Sequence, residues 1–275
     1  MKGRIASTLA LWAILVTTTV MFGAVGAVWL AAIAALLTQY ELYKMLSLMG
    51  QRPMSYAGMA VGLFVSLTPL MQGFLPSSGT ALVAPAALLF SVMALLRRPR
   101  GNPVNALGST LLGLILAPCT IVFISMMIYR FGAAGPGLML ALWLVMAAKF
   151  TDMGALLTGL AIGRHKMAPV LSPKKTWEGA FGGIFISMAC SAAFAHWMPA
   201  GSLPAAFTPV VAAYMAFPIA IAAIFADLLE SAFKRESGVK DSGSILPGIG
   251  GIFDLTDSFM LTAPLAYYMA VYILG

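Results

Sequence analysis

Charged residues are scarce in this sequence, at 9% of its 275 positions. Because a water-soluble domain carries charge on about a quarter of its residues, a soluble exterior is excluded. Hydrophobic residues make up 61% of the chain, and the mean hydropathy is +0.95. The 27 glycines and 16 prolines do not argue against helices, because neighbouring helices satisfy the backbone groups that these residues leave free in a membrane. We therefore predict an all-α polytopic integral membrane protein.

Cysteine and histidine are also rare, with two of each. Cys119 and Cys190 lie in apolar runs, so we expect two small packing residues rather than a disulfide or a metal pair. His165 is expected in a loop and His196 near the membrane interface. This scarcity of histidine is consistent with a function that does not depend on a histidine as a strong general base.

Apolar runs of about 20 residues, the length that crosses a hydrocarbon core of about 30 Å, recur along the whole chain. We predict about nine transmembrane helices: Ile5–Phe22, Ala24–Leu42, Tyr56–Leu75, Gly79–Leu96, Val104–Tyr129, Gly137–Leu160, Trp177–Met198, Phe207–Leu229 and Ile252–Leu274. The first run lacks a small-residue cleavage site and is interpreted as a retained span. Residues 1–275 are expected to form one membrane-embedded domain, in which 1–130 is mainly an apolar helical scaffold and 131–275 carries the polar motifs.

The basic residues predict the orientation in the membrane. With a cytosolic N-terminus and alternating spans, all of the 16 Lys and Arg residues fall on one side except Arg130 and Lys149. The positive-inside rule then places the loops 161–176 and 230–251 in the cytosol. The net charge of +7 forms a basic face that attracts anionic lipid headgroups or an anionic substrate. We expect a multi-pass protein of a bacterial-type inner or plasma membrane, with a polar active site facing the cytosol.

One polar stretch, residues 231–257, interrupts the apolar pattern. Five of the nine acidic residues fall within it or at its edge, namely Glu230, Glu236, Asp241, Asp254 and Asp257. Glycines at 238, 243, 248, 250 and 251, together with Pro247, predict a tight non-helical loop. Carboxylates for a metal, cations for a phosphate and an open backbone at a membrane face indicate chemistry on a phosphate group.

The acidic residues around this loop suggest a metal site. Asp227, Glu230 and Ser231 share one helical face, and Asp254 and Asp257 repeat the three-residue spacing at the start of the last span. We predict that Asp227, Asp254 and Asp257 bind a divalent cation, because Mg²⁺ commonly uses one or two protein carboxylates and completes its shell with substrate phosphates. The alternative is that Asp254 and Asp257 only stabilise a helix N-terminus, which does not account for Asp227.

Lys149 and Asp152 lie three residues apart inside a predicted span, where an unpaired charge is costly. They form either a structural ion pair or a wall of a polar cavity, in which Gly154 and Gly159 allow a close helix approach. By contrast, Glu41 and Lys44 are expected to be an ordinary pair on a helix surface.

Cationic groups near the acids are candidate phosphate ligands. Lys234, Arg235 and Lys240 can bind phosphate oxygens, although a basic helix end is also a common topology signal. Gly250 and Gly251 open the last span, where free backbone N–H groups can receive an anion.

A second cytosolic stretch, residues 171–183, carries further polar groups. Ser172 or Thr176 is expected to cap the following helix, with Trp177 as an interfacial anchor. This leaves Lys174, Lys175 and Glu178 available to bind substrate.

Residues 231–257 resemble the C-terminal signature of the phosphatidate cytidylyltransferases (CDP-diacylglycerol synthases). The signature's Ser-x-x-Lys-Arg, Lys-Asp-x-Gly, Pro-Gly-His-Gly-Gly and Asp-Arg-x-Asp stand here as SAFKR (231–235), KDSG (240–243), PGIGG (247–251) and DLTD (254–257). SPKKTWEG (172–179) resembles the second motif of the family, and TDMGA (151–155) followed by GRHK (163–166) resembles the third. Ile249 replaces the usual His and Leu255 the usual Arg, and Lys149 is an additional cation that can supply the lost charge.

The resemblance implies transfer of a cytidylyl group from CTP to phosphatidic acid, giving CDP-diacylglycerol and pyrophosphate in phospholipid biosynthesis. It implies Mg²⁺ as cofactor and leaves open a second cation. The implied partners are CTP, phosphatidic acid and membrane lipids but no nucleic acid, and a homodimer is left open. The catalytic residues would be Asp227, Asp254, Asp257, Lys240 and Asp241. The substrate-binding residues would be Ser172, Lys174, Lys175, Thr176, Glu178, Ser231, Lys234, Arg235, Gly250, Gly251, Lys149 and Asp152.

Three alternatives remain at this point. A transporter or flippase would place its polar groups near the bilayer midplane between repeated halves, whereas here the acids cluster towards one face. A related transferase or kinase acting on an isoprenoid lipid would use similar phosphate chemistry. The third alternative is a regulatory relative that has lost catalysis through the changes at positions 249 and 255.

Overall fold

The computed structural model describes residues 2–71, 83–96, 102–243 and 250–275, with the side chains of all but 2–12, 83 and 95–96. The basic residues Arg97, Arg98 and Arg100, and Pro247, Gly248 and Ile249 of the polar stretch, lie outside these described residues. The helices, in chain order, are α1 (Lys2–Leu48), α2 (Ser55–Leu67), α3 (Val83–Leu96), α4 (Pro103–Leu116), α5 (Pro118–Phe131), α6 (Pro136–Ile162), α7 (Trp177–Trp197), α8 (Pro209–Glu236), α9 (Phe253–Thr256) and α10 (Phe259–Leu274). A 3₁₀ turn, Thr68–Met71, follows α2, and two short strands, β1 (Lys166–Ala168) and β2 (Ser172–Thr176), precede α7.

Six helical segments within the described residues are long and apolar enough to cross a membrane. They are Ala13–Leu48, Pro103–Phe131, Pro136–Ile162, Trp177–Trp197, Pro209–Glu236 and Phe253–Leu274. This finding confirms the predicted class, an α-helical multi-pass membrane protein, but it does not establish nine crossings. Two shorter apolar helices, Ser55–Met71 and Ala84–Ala94, fall in the predicted third and fourth spans. The count of nine therefore stays a prediction.

Glycine and proline decide where two of the long apolar segments break. α1 changes direction at Gly23, whose φ of 57° and ψ of −139° are non-helical and suit glycine. The predicted boundary between the first two spans falls at this residue. The predicted span Val104–Tyr129 is instead two helices, α4 and α5, since Pro118 has no N–H group with which to continue the hydrogen-bond ladder.

The borders of the polar stretch also differ from the prediction. α8 continues to Glu236, seven residues past the expected end at Leu229, so Lys234 and Arg235 lie in its last turn. The predicted last span, Ile252–Leu274, is divided into α9 and α10, with Asp257 and Ser258 at the junction.

The connection before α7 corrects the purely helical prediction. β1 and β2 form an antiparallel hairpin in which Lys166 pairs with Thr176 and Ala168 with Ser172. The strands are too short and too polar to produce an alternating hydrophobic pattern, so the sequence did not reveal them. Ser172 therefore lies in a strand, whereas Thr176 is the helix cap, its Oγ1 accepting the Gly179 N–H at 3.2 Å.

The chain divides into two compact units, and the first comprises residues 1–126 and 233–256. In this unit α1 packs against α2, α4 and α9. A buried polar network joins three of these helices, since Gln39 Nε2 donates to Tyr43 Oη at 2.9 Å and to the Gly58 carbonyl at 3.0 Å. Tyr43 Oη in turn donates to the Thr110 carbonyl at 2.8 Å. Each of these donors has its acceptor, although Gln39 Oε1 is buried without a partner, and the network links the three helices.

The second unit comprises residues 127–232 and 257–275, and its centre is the contact between α6 and α7. A Cβ added to Gly154 would lie 3.1 Å from the Gly183 Cα, and Ser187 Oγ donates to the Ala147 carbonyl at 2.8 Å. The prediction that Gly154 and Gly159 permit a close helix approach is therefore confirmed.

The hydroxyl of Thr176 is enclosed by glycines of this α6–α7 contact. A Cβ on Gly159, Gly163 or Gly179 would come within 3.1 Å of Thr176 Oγ1. The absence of side chains at these three positions therefore lets β2 end directly against α6, which fixes the position of the neighbouring Lys175.

Candidate active site

The second unit contains a cavity of about 420 Å³ between the hairpin, α6, α7 and α8. Its polar lining includes five residues that the sequence predicts as site residues: Asp152, Lys174, Lys175, Thr176 and Asp227. Lys166, from β1, adds a further cation. The structure therefore brings together residues from the second motif, the third motif and α8, which are separated by up to 75 positions in sequence. Three lysines, Lys166, Lys174 and Lys175, thus line this cavity, which favours an anionic ligand.

The closest contact across this cavity is an ion pair. Lys175 Nζ lies 2.6 Å from Asp227 Oδ2, and both side chains remain partly exposed. This pair links β2 to α8 and directs the Lys175 ammonium group towards the acidic residues of α8.

Three carboxylates form an acid cluster in the second unit: Asp227, Glu230 and Asp257. One oxygen atom from each lies within 4.8 Å of the others, with Asp227 half-buried and the other two only 4% exposed. Such a concentration of buried negative charge is costly unless cations neutralise it. Three carboxylate oxygens are a donor set suited to a hard divalent cation such as Mg²⁺.

The acid cluster agrees only in part with the predicted ligand set. Asp227 and Asp257 are brought together as expected, while Glu230 was absent from the predicted ligands. The sequence did contain a signal for Glu230, because its spacing of three from Asp227 places both carboxylates on one face of α8.

Lys149 connects α6 to this cluster. Its Nζ lies 3.5 Å from Asp152 Oδ2, which confirms the predicted pair, and 3.9 Å from Asp257 Oδ1. Ser258 Oγ lies 3.2 Å from Asp152 Oδ2 and 3.0 Å from Asp257 Oδ1. Phe259 places its ring 5.4 Å from the same ammonium group. The pair is therefore part of a larger network, and Ser258 is a member that the sequence analysis missed.

In the first unit, Asp254 organises the glycine-rich turn. Its carboxylate accepts the Gly251 N–H at 2.9 Å and the Ser242 N–H at 3.3 Å, and it pairs with Lys234 Nζ at 3.3 Å. Gly250 has a φ of 120°, and a Cβ there would overlap the Asp254 carboxylate, so only glycine fits. The structure therefore brings Lys234, Gly250, Gly251 and Asp254 together, as their common motif suggests.

Glu41 holds the same turn from α1, contrary to its expected role in a surface pair with Lys44. It is only 2% exposed and accepts three hydrogen bonds, from Ser242 Oγ at 2.9 Å, Ile252 N at 3.1 Å and Phe253 N at 2.8 Å. The only signal in the sequence was a carboxylate at the end of an apolar run, which did not distinguish this role from a surface ion pair.

Glu178 serves the hairpin rather than the cavity lining. It accepts the backbone N–H of Arg164 at 3.1 Å and of His165 at 3.2 Å, and His165 Nδ1 lies 2.5 Å from it. These contacts hold the chain between α6 and β1 against the start of α7. A direct role of Glu178 in substrate binding stays a prediction.

The remaining predicted residues are placed as follows. Ser172 is half-buried in β2, and Ser231 is half-buried on α8 in the second unit. Arg235, Lys240 and Asp241 have exposed side chains in the first unit. Their roles stay predictions.

Comparison with known proteins gives one consistent result. The sequence model of the cytidylyltransferase family matches residues 2–273. A phosphatidate cytidylyltransferase of Haemophilus influenzae is 36% identical over 140 residues, covering 50% of this chain and 48% of that protein. A protein of the same name from Staphylococcus aureus (strain COL) is 41% identical over 131 residues, covering 47% and 48%, and one from Synechocystis is 39% identical over 126 residues, covering 45% and 40%. The chain thus spans about half the length, or less, of the curated relatives that it matches. None of these three proteins is named as a transporter or a kinase.

Proposed function

Because the chain belongs to the cytidylyltransferase family, we propose that it transfers a cytidylyl group from CTP to phosphatidic acid, releasing pyrophosphate and giving CDP-diacylglycerol. The observation that carries this proposal is the cavity that is lined by Lys166, Lys174 and Lys175 and by Asp152 and Asp227. Cations that can bind phosphate and acids that can bind a metal are the two kinds of group that nucleotidyl transfer needs. The relatives' names supply the identity of the two substrates.

The proposed reaction forms a bond between a phosphate oxygen of phosphatidic acid and the α-phosphorus of CTP. The bond between the α-phosphorus and the bridging oxygen breaks, and its electron pair leaves with pyrophosphate. A phosphate monoester dianion is already nucleophilic, so no side chain has to remove a proton. The protein therefore acts by holding the two phosphates in line and by stabilising charge.

The lysines of the cavity are proposed to do the positioning. Lys174 and Lys175 stand on the same short strand, and Lys175 is directed by its contact with Asp227. An ammonium group is a point charge that tolerates several phosphate orientations. Lys234, Arg235 and Lys240, together with the turn at Gly250 and Gly251, stay proposed as further phosphate ligands.

The acid cluster fits a magnesium ion. Asp227, Glu230 and Asp257 would hold it, since their oxygens converge within 4.8 Å and two of them are buried. When bound, such an ion supplies a Lewis acid that stabilises charge developing on phosphate oxygens. Asp254 stays a predicted ligand, and a second cation stays an open possibility of the proposal.

The surroundings of the site are likewise proposed. Basic residues favour a cytosolic N-terminus and cytosolic polar loops in a bacterial-type inner membrane. Membrane lipids would then surround the protein and deliver phosphatidic acid from the bilayer. The proposal also includes a homodimer.

The test of this function is an assay on membranes that contain the protein. Label from α-³²P-CTP should enter a chloroform-soluble lipid only when phosphatidic acid and Mg²⁺ are both present, and pyrophosphate should appear in equal amount. Membranes without the protein are the control. Transfer of label to an isoprenoid phosphate but not to phosphatidic acid would show that the lipid substrate is an isoprenoid phosphate. If no CTP-dependent product forms in any arm, the proposal is refuted.

We expect Lys175→Ala to weaken substrate use more than the chemical step. Loss of one charge-assisted phosphate contact should raise KM for CTP by about 10- to 100-fold, because such a contact contributes about 1.5–3 kcal/mol. Initial rates over a range of CTP concentrations measure the effect, with Lys44→Ala, an exposed lysine on α1, as the control. A fall in kcat at unchanged KM would instead assign Lys175 to the organisation of Asp227.

A further inference from the structure

Lys149 lies on α6 in a membrane-spanning segment, where burial of an ammonium group is costly unless anions accompany it. Three oxygen atoms surround its Nζ: Asp152 Oδ2 at 3.5 Å, Ser258 Oγ at 3.4 Å and Asp257 Oδ1 at 3.9 Å. The ring of Phe259 covers a further side at 5.4 Å. The ammonium group is thus contacted by two carboxylates, a hydroxyl and an aromatic face, while the Lys149 side chain stays 29% exposed.

The acid cluster and Lys149 form one group of charges in the second unit. Four carboxylates belong to it: Asp152, Asp227, Glu230 and Asp257. Lys149 contacts this group through Asp152 and Asp257, and Lys175 contacts it through Asp227. Lys149 therefore offsets negative charge on the α6 side of the acid cluster.

We propose that Lys149 is a fixed counter-cation of the acid cluster, rather than a ligand of the substrate phosphates. It occupies the side of Asp257 that faces α6, and it holds that carboxylate in place together with Ser258. This inference rests on the proposed function, because it assumes that the acid cluster binds a divalent cation.

The two roles of Lys149 predict opposite effects of its removal. If Lys149 is a ligand of the substrate, its removal should weaken the binding of CTP and leave metal binding unchanged. A counter-cation offsets part of the attraction between the carboxylates and a metal, so its removal should tighten metal binding. At the same time Asp257 loses a contact that positions it, and turnover should fall.

The experiment compares wild type with Lys149→Met and Lys149→Arg as purified full-length proteins in nanodiscs. Binding of Mn²⁺, a hard cation that accepts oxygen ligands, is followed by electron paramagnetic resonance without nucleotide. We expect Lys149→Met to bind Mn²⁺ about tenfold more tightly than wild type and to lose most of its turnover. Lys149→Arg keeps the charge and should bind Mn²⁺ like wild type. Added methylammonium should restore part of the Lys149→Met turnover.

Lys149→Gln serves as the second neutral variant if Lys149→Met does not fold, and Lys44→Met controls for loss of a lysine elsewhere. Unchanged Mn²⁺ affinity with a raised KM for CTP would overturn the proposal and make Lys149 a substrate ligand. Absence of Mn²⁺ binding in wild type would refute both the metal site and the counter-cation. If wild type binds Mn²⁺ and Lys149→Met binds it more tightly, but neither transfers label from CTP, the counter-cation stands and the proposed function fails.

Discussion

Asp257→Asn is expected to reduce CTP-dependent turnover to background, a loss of about 10³-fold or more. Asparagine keeps the size of the side chain and one accepting oxygen, but it removes a negative charge from the acid cluster and weakens the attraction to Lys149. Because a neutral amide oxygen is a weaker magnesium ligand than a carboxylate, the remaining Asp227 and Glu230 should hold the metal poorly.

The measurement is transfer of label from CTP to phosphatidic acid at equal amounts of folded protein. Glu236→Gln is the matched control, since Glu236 is an exposed acid at the end of α8 and should retain full activity. Extraction and elution of the Asp257→Asn protein as a single species would show that folding is preserved. Near-normal turnover of this variant would remove Asp257 from the metal ligands.

Glu41→Ala is expected to destabilise the first unit by about 3–5 kcal/mol and to abolish turnover, although Glu41 was not among the predicted site residues. The substitution leaves three donors without their acceptor: Ser242 Oγ, Ile252 N and Phe253 N. A buried donor that loses its acceptor keeps the full desolvation penalty of about 1–3 kcal/mol, so the turn would open to water.

Two measurements separate this effect from a loss of catalysis alone. Thermal unfolding in detergent should show a lower midpoint, and limited proteolysis should cut within 237–243 or 250–252 in Glu41→Ala but not in wild type. Glu41→Gln, which retains one accepting oxygen, should be less affected, and Lys44→Ala should behave as wild type. Wild-type stability and proteolysis in Glu41→Ala would show that the turn does not depend on α1.

The sequence predicts those features that depend on neighbouring residues. Apolar run length predicted the α-helical membrane class, and the spacing of three residues predicted the Lys149–Asp152 pair. Thr176 was one of two candidate caps, and the structure selects it because Ser172 pairs in the hairpin. These outcomes follow from local geometry and from hydropathy, which the sequence expresses directly.

Features that depend on distant residues were not predicted. Glu41 receives a hydrogen bond from Ser242, which is 201 positions away, and Lys149 meets Ser258 across 109 positions. Nothing in the local pattern around Glu41 distinguishes an acceptor of three hydrogen bonds from a carboxylate in a surface pair. The helix break at Pro118 had a clear local cause, but the unbroken hydropathy across it concealed the break.

The enclosure of the Thr176 hydroxyl by Gly159, Gly163 and Gly179 restricts how this protein can change over evolutionary time. At Gly163 and Gly179 an added Cβ would also meet backbone, the carbonyl oxygens of Gly159 and Ala155, which have no rotamers with which to move aside. At Gly159 the nearest atom is the Thr176 hydroxyl oxygen at 3.1 Å, so an alanine there requires a small shift of Thr176, the neighbour of Lys175. Selection for the position of the Lys175 charge would therefore also act on these glycines, which have neither a charge nor a side chain.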